Sequence, residues 1–145
     1  MCLPDGRTMV IGGWNSAGAG QALASVVALA AGGSEWSEIA PMAHARYCAT
    51  TAVLPDGKVL VAGGMTAVDD DSAIKTAELY DPATNAWTAL PDMADERTQS
   101  FACVLPSGRV AVVGGFGADG LKRKAARRST LRSGRGSRCR RRPKG

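Results

Sequence analysis

Apolar positions along this chain fall in short runs broken by glycine, proline and polar clusters, rather than at the spacing of an amphipathic helix. Residues 51–64, TAVLPDGKVLVAGG, give the clearest example. The pattern predicts a first strand over 48–54 (CATTAVL) and a type I turn on Leu54-Pro55-Asp56-Gly57, with Gly57 free to turn left-handed as a bulge. A second strand follows over 58–62 (KVLVA), whose unbroken apolar run predicts burial on both faces. Beyond a polar loop from Thr66 to Ser72, the segment TAELYD (76–81) reads as a third strand, PATN (82–85) as a turn and AWTAL (86–90) as a fourth.

The unit recurs. The stretches LPDGRTMVIGG (3–13), LPDGKVLVAGG (54–64) and LPSGRVAVVGG (105–115) stand 51 residues apart. The same offset carries Trp36 onto Trp87, Met42 onto Met93 and Arg46 onto Arg97 without insertion or deletion. Nine strands are predicted over the three copies, which amounts to two four-stranded units and one strand more. In the first copy the positions of Leu79-Tyr80-Asp81-Pro82 hold Ala28, Leu29, Ala30 and Ala31. By propensity alone QALASVVALAA (21–31) reads as a helix, but the repeat register predicts a strand.

Paired glycines after a buried strand (Gly12-Gly13, Gly63-Gly64 and Gly114-Gly115), the Tyr80-Asp81 pair and Trp87 six residues on, with Trp36 as its counterpart, resemble the kelch repeat. The resemblance implies an all-β fold: a partial kelch-type β-propeller built of four-stranded antiparallel blades. The repeats cover residues 1–117, with a partial blade over 1–42, a full blade over 43–93 and a partial blade over 94–117. A closed propeller needs about four to eight blades, so the chain reads as fragment-like, with open blade edges available for self-association. A basic low-complexity tail over 118–145 is expected to be disordered.

Charge divides the chain in the same way. The net charge of +5 over 145 residues combines six Lys/Arg against thirteen Asp/Glu in residues 1–120 with twelve Lys/Arg and no acid in residues 121–145. Runs such as KRKAARR and RCRRRPK within 122–144 suit nuclear import or nonspecific contact with nucleic acid phosphates; no aromatic residue accompanies them to stack on bases. The repeat's third strand is due there, so a shifted reading frame is the competing account. No apolar stretch has membrane-spanning length: the longest, Ala22 to Ala31, is interrupted by Ser25. Met1-Cys2-Leu3 runs straight into Pro4-Asp5-Gly6, so no secretory leader and an intracellular, cytoplasmic location are expected, nuclear if the tail is genuine. Cys2, Cys48, Cys103 and Cys139 form no CxxC pair, which suggests free thiols rather than a zinc or redox motif.

Candidate chemistry is sparse. Gly63-Gly64 leads into Asp69-Asp70-Asp71, where a triphosphate would meet three carboxylates, and no GxxxxGK[ST] loop is present. The three aspartates lack the alternating spacing of a calcium loop. Some kelch-like copper oxidases hold their metal through Tyr and His; this chain has only His44, with Tyr47 and Tyr80. No GxSxG elbow occurs and one imidazole serves every Ser and Cys, so neither a catalytic residue, a metal nor a cofactor is expected. Two readings of Arg46 and Arg97 stay open: contact with a partner at one mouth of the ring, which the resemblance implies, or bridging between blades. Trp14, placed in the 14–20 loop and expected to be partly exposed, is the other candidate contact residue. The function these features suggest is a noncatalytic kelch-repeat protein-interaction module, either a scaffold or a substrate-recruiting one. The alternatives are a nucleic-acid-associated protein acting through its tail and, remotely, a fragment of a kelch-like copper oxidase.

Overall fold

The computed structural model describes residues 1–17, 20–68 and 72–117, and the backbone of 129–132. Ten strands follow in order: β1 (Thr8–Asn15), β2 (Gln21–Leu29), β3 (Trp36–Ile39), β4 (Thr50–Val53), β5 (Val59–Ala62), β6 (Ala77–Asp81), β7 (Ala86–Leu90), β8 (Phe101–Val104), β9 (Arg109–Val113) and β10 (Ser129–Arg132). They form three antiparallel sheets, ordered β1-β2-β3, β4-β5-β6-β7 and β8-β9-β10. No α-helix occurs among the described residues.

The sheets share one register. Thr8 faces Leu29, Val59 faces Tyr80 and Val110 faces Leu131, each pair 51 residues on from the last. Each sheet also opens on the same turn. The Gly57 amide donates to the Leu54 carbonyl at 2.9 Å, the Leu54 amide donates to the Lys58 carbonyl at 2.8 Å, and φ of Gly57 is 81°. This is the type I turn with a left-handed glycine that the Pro-Asp-Gly segment predicts.

The alanine-rich segment 21–29 is a strand, as the register requires. As β2 it is paired on both sides, by β1 and by β3, and it turns Val26 and Ala28 inward at 1% and 5% exposure. Two sets of cross-strand bonds and this burial outweigh a helix preference worth a few tenths of a kcal/mol per residue.

The third sheet departs from expectation. Residues 129–132, within the tail expected to be disordered, pair with β9 in the register that β6 keeps with β5, making a tenth strand. The expectation of disorder is therefore corrected at these four residues. Strand pairing uses backbone N–H and C=O groups that any non-proline sequence offers, whereas the expectation rested on side-chain composition. The remaining tail calls, including the nucleic-acid contacts proposed over 122–144, otherwise lie outside the described residues, as do Asp69, Asp70 and Asp71.

Strand β5 explains the doubly buried run. Val59 and Val61 pack with Met9, Val26, Ala28 and Tyr80 of the first and second sheets. Leu60 and Ala62 point the other way and pack with Val110 and Val112 of the third. All four β5 side chains are at most 1% exposed. Fully burying each of the larger ones contributes about 1.5–3 kcal/mol.

Candidate functional site

The link from β3 to β4 carries Arg46 into the junction of the first two sheets. Its backbone is fixed to the first sheet: the Arg46 amide donates to the Leu23 carbonyl at 3.0 Å, and the Gly13 amide donates to the Arg46 carbonyl at 3.0 Å. Its side chain is fixed to the second. Nη1 donates to the carbonyls of Gly63 (2.9 Å) and Thr76 (3.0 Å), and Nη2 lies 2.7 Å from Glu78 Oε1. Nε donates to the His44 carbonyl at 3.3 Å, so every guanidinium nitrogen is engaged.

Arg46 and Glu78 are each 1% exposed and form a buried ion pair. The carboxylate also accepts the amides of Ala43 (2.8 Å) and His44 (3.1 Å). Burial pushes the Glu78 carboxyl up, but the Ala43 amide, the guanidinium and the His44 amide together outweigh it and hold the group below the usual carboxylate range. For Arg46, burial outweighs the carboxylate and lowers its affinity for the proton, although a guanidinium remains charged.

The glycine pairs belong to the same device. Gly63 has φ of 66°, and a Cβ placed there would run into the Arg97 carbonyl oxygen; Gly12 stands in the same relation to the Arg46 carbonyl. The next amide in each copy then donates to that carbonyl, Gly64 to Arg97 at 2.9 Å just as Gly13 does to Arg46. Gly114 and Gly115 share the positive φ, but a Cβ on Gly114 would meet no atom of the described residues within 4 Å. The first two glycine pairs thus hold the backbones of Arg46 and Arg97 at the junctions between sheets.

Arg97 repeats Arg46 incompletely. It is 2% exposed, Nη1 donates to the Gly114 carbonyl at 2.9 Å, and Nη2 lies 3.4 Å from Asp95 Oδ2, a carboxylate 40% exposed. Its Nε finds no hydrogen-bond partner among the described residues. The position 51 residues after Glu78 is a serine, Ser129. Of the two readings of these arginines, bridging is the observed geometry. Both side chains are buried, at 1% and 2% exposure.

A second junction lies where Tyr80, Asn85 and Trp87 meet the first sheet. Tyr80 and Trp87 pack with ring centroids 5.1 Å apart. The Tyr80 hydroxyl donates to Asn85 Oδ1 (2.9 Å), the Ala40 amide donates to the same oxygen (3.1 Å), and Trp87 Nε1 donates to the Ala40 carbonyl (2.8 Å). Burial, more than any nearby charge, raises the proton affinity of the Tyr80 phenol. Asp81 closes the following turn by accepting the Ala83 amide at 2.9 Å, and it pairs with Lys58 at 3.2 Å. Trp36, the first-copy counterpart of Trp87, is 49% exposed.

Sequence reasoning missed Glu78 and Asn85. A lone acid inside the apolar AELY run was the available signal for the first. For the second it was an asparagine just before the AWTAL strand, one of the few non-glycine residue types that tolerate the positive φ of 49° found there.

Trp14 is corrected in place. It lies within β1, opposite Ala22, and not in the loop, because β1 continues past an irregularity between Ile11 and Gly13. It is half-buried against Tyr47, the ring centroids 4.9 Å apart and tilted by 53°. The Tyr47 hydroxyl donates to the Ala67 carbonyl at 2.7 Å. His44, whose side chain is 54% exposed, has Nδ1 3.4 Å from Glu78. The two tyrosine hydroxyls are directed to Ala67 and Asn85. Among the described residues no three His, Cys, Asp or Glu side chains come together as a metal site.

Comparison with known proteins gives concordant results. Residues 46–94 match the family described as Kelch motif. The chain is 41% identical over 84 residues to the Kelch-like protein terF of Aspergillus terreus, covering 56% of this chain and 18% of that protein. It is 30% identical over 115 residues to an F-box/kelch-repeat protein of Arabidopsis thaliana (79% of this chain, 27% of the relative). It is 37% identical over 82 residues to Kelch-like protein 40 of Xenopus tropicalis (57% and 12%). The chain thus spans about a quarter or less of each of these relatives. Among solved structures, a fungal alcohol oxidase in complex with copper superimposes with a TM-score of 0.68 at 27% identity, covering 79% of this chain and 25% of that one. Three sheets in one register and these likenesses show that residues 46–94 carry a kelch motif and that the chain, similar to kelch-repeat proteins, folds as part of a kelch-type β-propeller.

Proposed function

We propose that the chain is a noncatalytic protein-interaction module, a scaffold or substrate-recruiting segment within the cell. One observation carries the reading: Arg46, Glu78, Tyr80 and Trp87, the side chains best suited to chemistry, are consumed in holding sheets together. What faces outward is a surface of half-buried aromatic and apolar groups at the glycine ends of the strands, Trp14, Tyr47 and Met65, with Val68 72% exposed beside them. Such a surface suits a protein partner, because aromatic residues supply large contact area at little entropic cost. The likeness to Kelch-like and F-box/kelch-repeat proteins supports it. The wide separation of the free thiols of Cys2, Cys48 and Cys103 supports an intracellular location.

The test is proximity labelling in cells with wild-type chain and the Trp14→Ala/Val68→Asp variant. Proteins labelled by the wild type and lost from the variant, with the thermal melt unchanged, support the reading. An identical labelling set from both overturns this surface as the contact. Nucleic-acid association through residues 122–144 is a second reading, favoured by the twelve cations of the tail. Retained DNA or RNA affinity after deletion of residues 133–145 would remove the dependence on their share of that charge.

A further inference from the structure

The two arginine junctions differ in charge. At the first, the Arg46 guanidinium and the Glu78 carboxylate are both buried and stand 2.7 Å apart. At the second, Arg97 is equally buried, yet Glu78 is the only buried acid among the described residues. The carboxylate that does pair with Arg97, that of Asp95, is 40% exposed and lies 3.4 Å from Nη2, longer than a charge-assisted bond and screened by water. Strand pairing shows where an acid would be due. Glu78 pairs with Val61 of β5, and Ser129, 51 residues on, pairs with Val112 of β9. The register thus puts an uncharged residue where the first junction has its acid, and residues 121–145 contain no Asp or Glu.

A guanidinium keeps its proton even when buried, so Arg97 stays charged, and a buried charge needs a counter-charge close by. The guanidinium also has an edge to offer. Nη1 donates to the Gly114 carbonyl, whereas Nε finds no partner among the described residues and Nη2 holds only the long Asp95 contact. Nε and Nη2 lie side by side on one edge of the planar group, the arrangement that takes both oxygens of a carboxylate. Size follows from the difference between the two copies. Where Glu78 carries a CH2–COO⁻ group on its Cβ, Ser129 carries a hydroxyl, so the fragment lacking is acetate. We infer that the junction of the second and third sheets binds a small carboxylate ion, of formate or acetate size, on Arg97, in the role Glu78 plays for Arg46. The ion displaces the long contact to Asp95, whose half-exposed side chain turns to water.

The experiment is thermal melting of the full 145-residue chain at neutral pH in sodium formate or sodium acetate, against sodium chloride at equal ionic strength. The two carboxylates are expected to raise the melting temperature along a saturating curve, by about 4 °C at about ten times the dissociation constant. Ser129→Glu supplies the carboxylate from the chain itself. It is expected to melt higher than the wild type in chloride and to lose the response to formate and acetate. Binding is read directly by the carbon-13 line of labelled formate, which should broaden with the wild type and stay sharp with Ser129→Glu. Arg97→Met gives the same comparison should Ser129→Glu fail to melt cooperatively. Equal melting of the wild type in formate, acetate and chloride overturns the proposal. So does a melting response or a formate broadening that either variant leaves intact.

Discussion

The Gly13 amide donates to the Arg46 carbonyl at 3.0 Å, across the gap between two sheets. The bond exists because Gly12, the residue before, has no Cβ to strike that carbonyl, and because the arginine side chain is pulled the opposite way into the second sheet. One residue thus clamps both sides of a junction, its backbone held by one sheet and its guanidinium by the other.

Replacing Gly63 tests the close approach. Gly63→Ala forces a Cβ against the Arg97 carbonyl at a positive φ and is expected to cost more than about 2 kcal/mol in urea unfolding. Gly114→Ala has the same φ class with no atom of the described residues within 4 Å of the new Cβ, so only left-handed strain of about 1–2 kcal/mol is expected. Equal losses at the two sites would remove crowding as the cause.

Arg46→Met or Glu78→Gln leaves a buried partner uncompensated and is expected to cost about 3–5 kcal/mol, while the double variant costs less than the sum. A double-mutant cycle by denaturant melts measures the difference. Strict additivity would show that the two side chains do not act as a pair.

Acid should expose the same pair. The Glu78 carboxyl is held below its unfolded value of about 4.3, so its contribution is complete above that pH and is lost as pH falls through the lower folded value. Stability measured from pH 6 downward should fall less steeply in Glu78→Gln than in the wild type. An unchanged acid limb would contradict the assignment.

The sequence difference between copies offers a gain. Ser129→Glu restores a carboxylate 51 residues after Glu78, the acid that pairs with Arg46, while Arg97 stands 51 residues after Arg46. Stability should rise by about 1–2 kcal/mol, the worth of a charge-assisted hydrogen bond, and the gain should vanish in an Arg97→Met background. A gain that survives in that background would point to some other cause.

At the second junction, Asn85→Ala removes the acceptor for the Tyr80 hydroxyl and the Ala40 amide and strains a residue at φ 49°, an expected loss of about 2–3 kcal/mol. Asn85→Gly keeps the backbone relaxed and should lose about half of that. Trp87 emission should shift to the red in both, since its packing on Tyr80 loosens.

Strand order, the turns and the two-sided burial of β5 were legible because each rests on local pattern multiplied by the repeat. The register even overrode the helix preference of residues 21–29. What stayed hidden depends on long-range partners. Arg46 reads equally as a partner contact or a bridge until Glu78, 32 residues away, is seen to pair with it. Trp14 reads as a loop residue because the glycine pair before it looks like a strand end, whereas β1 passes through the irregularity and continues. β10 was illegible because its pairing is a backbone property, and the composition around it argues against any strand.

The alternation along β5 has a consequence for how the chain comes apart. Val59 and Val61 serve one junction and Leu60 and Ala62 the other, so the central strand belongs to both apolar clusters at once. In a stack where each unit touches only its neighbours, loss of the middle sheet strips both outer ones of their partner. The three sheets should therefore unfold in one cooperative step, with β5 among the last amides to exchange with solvent.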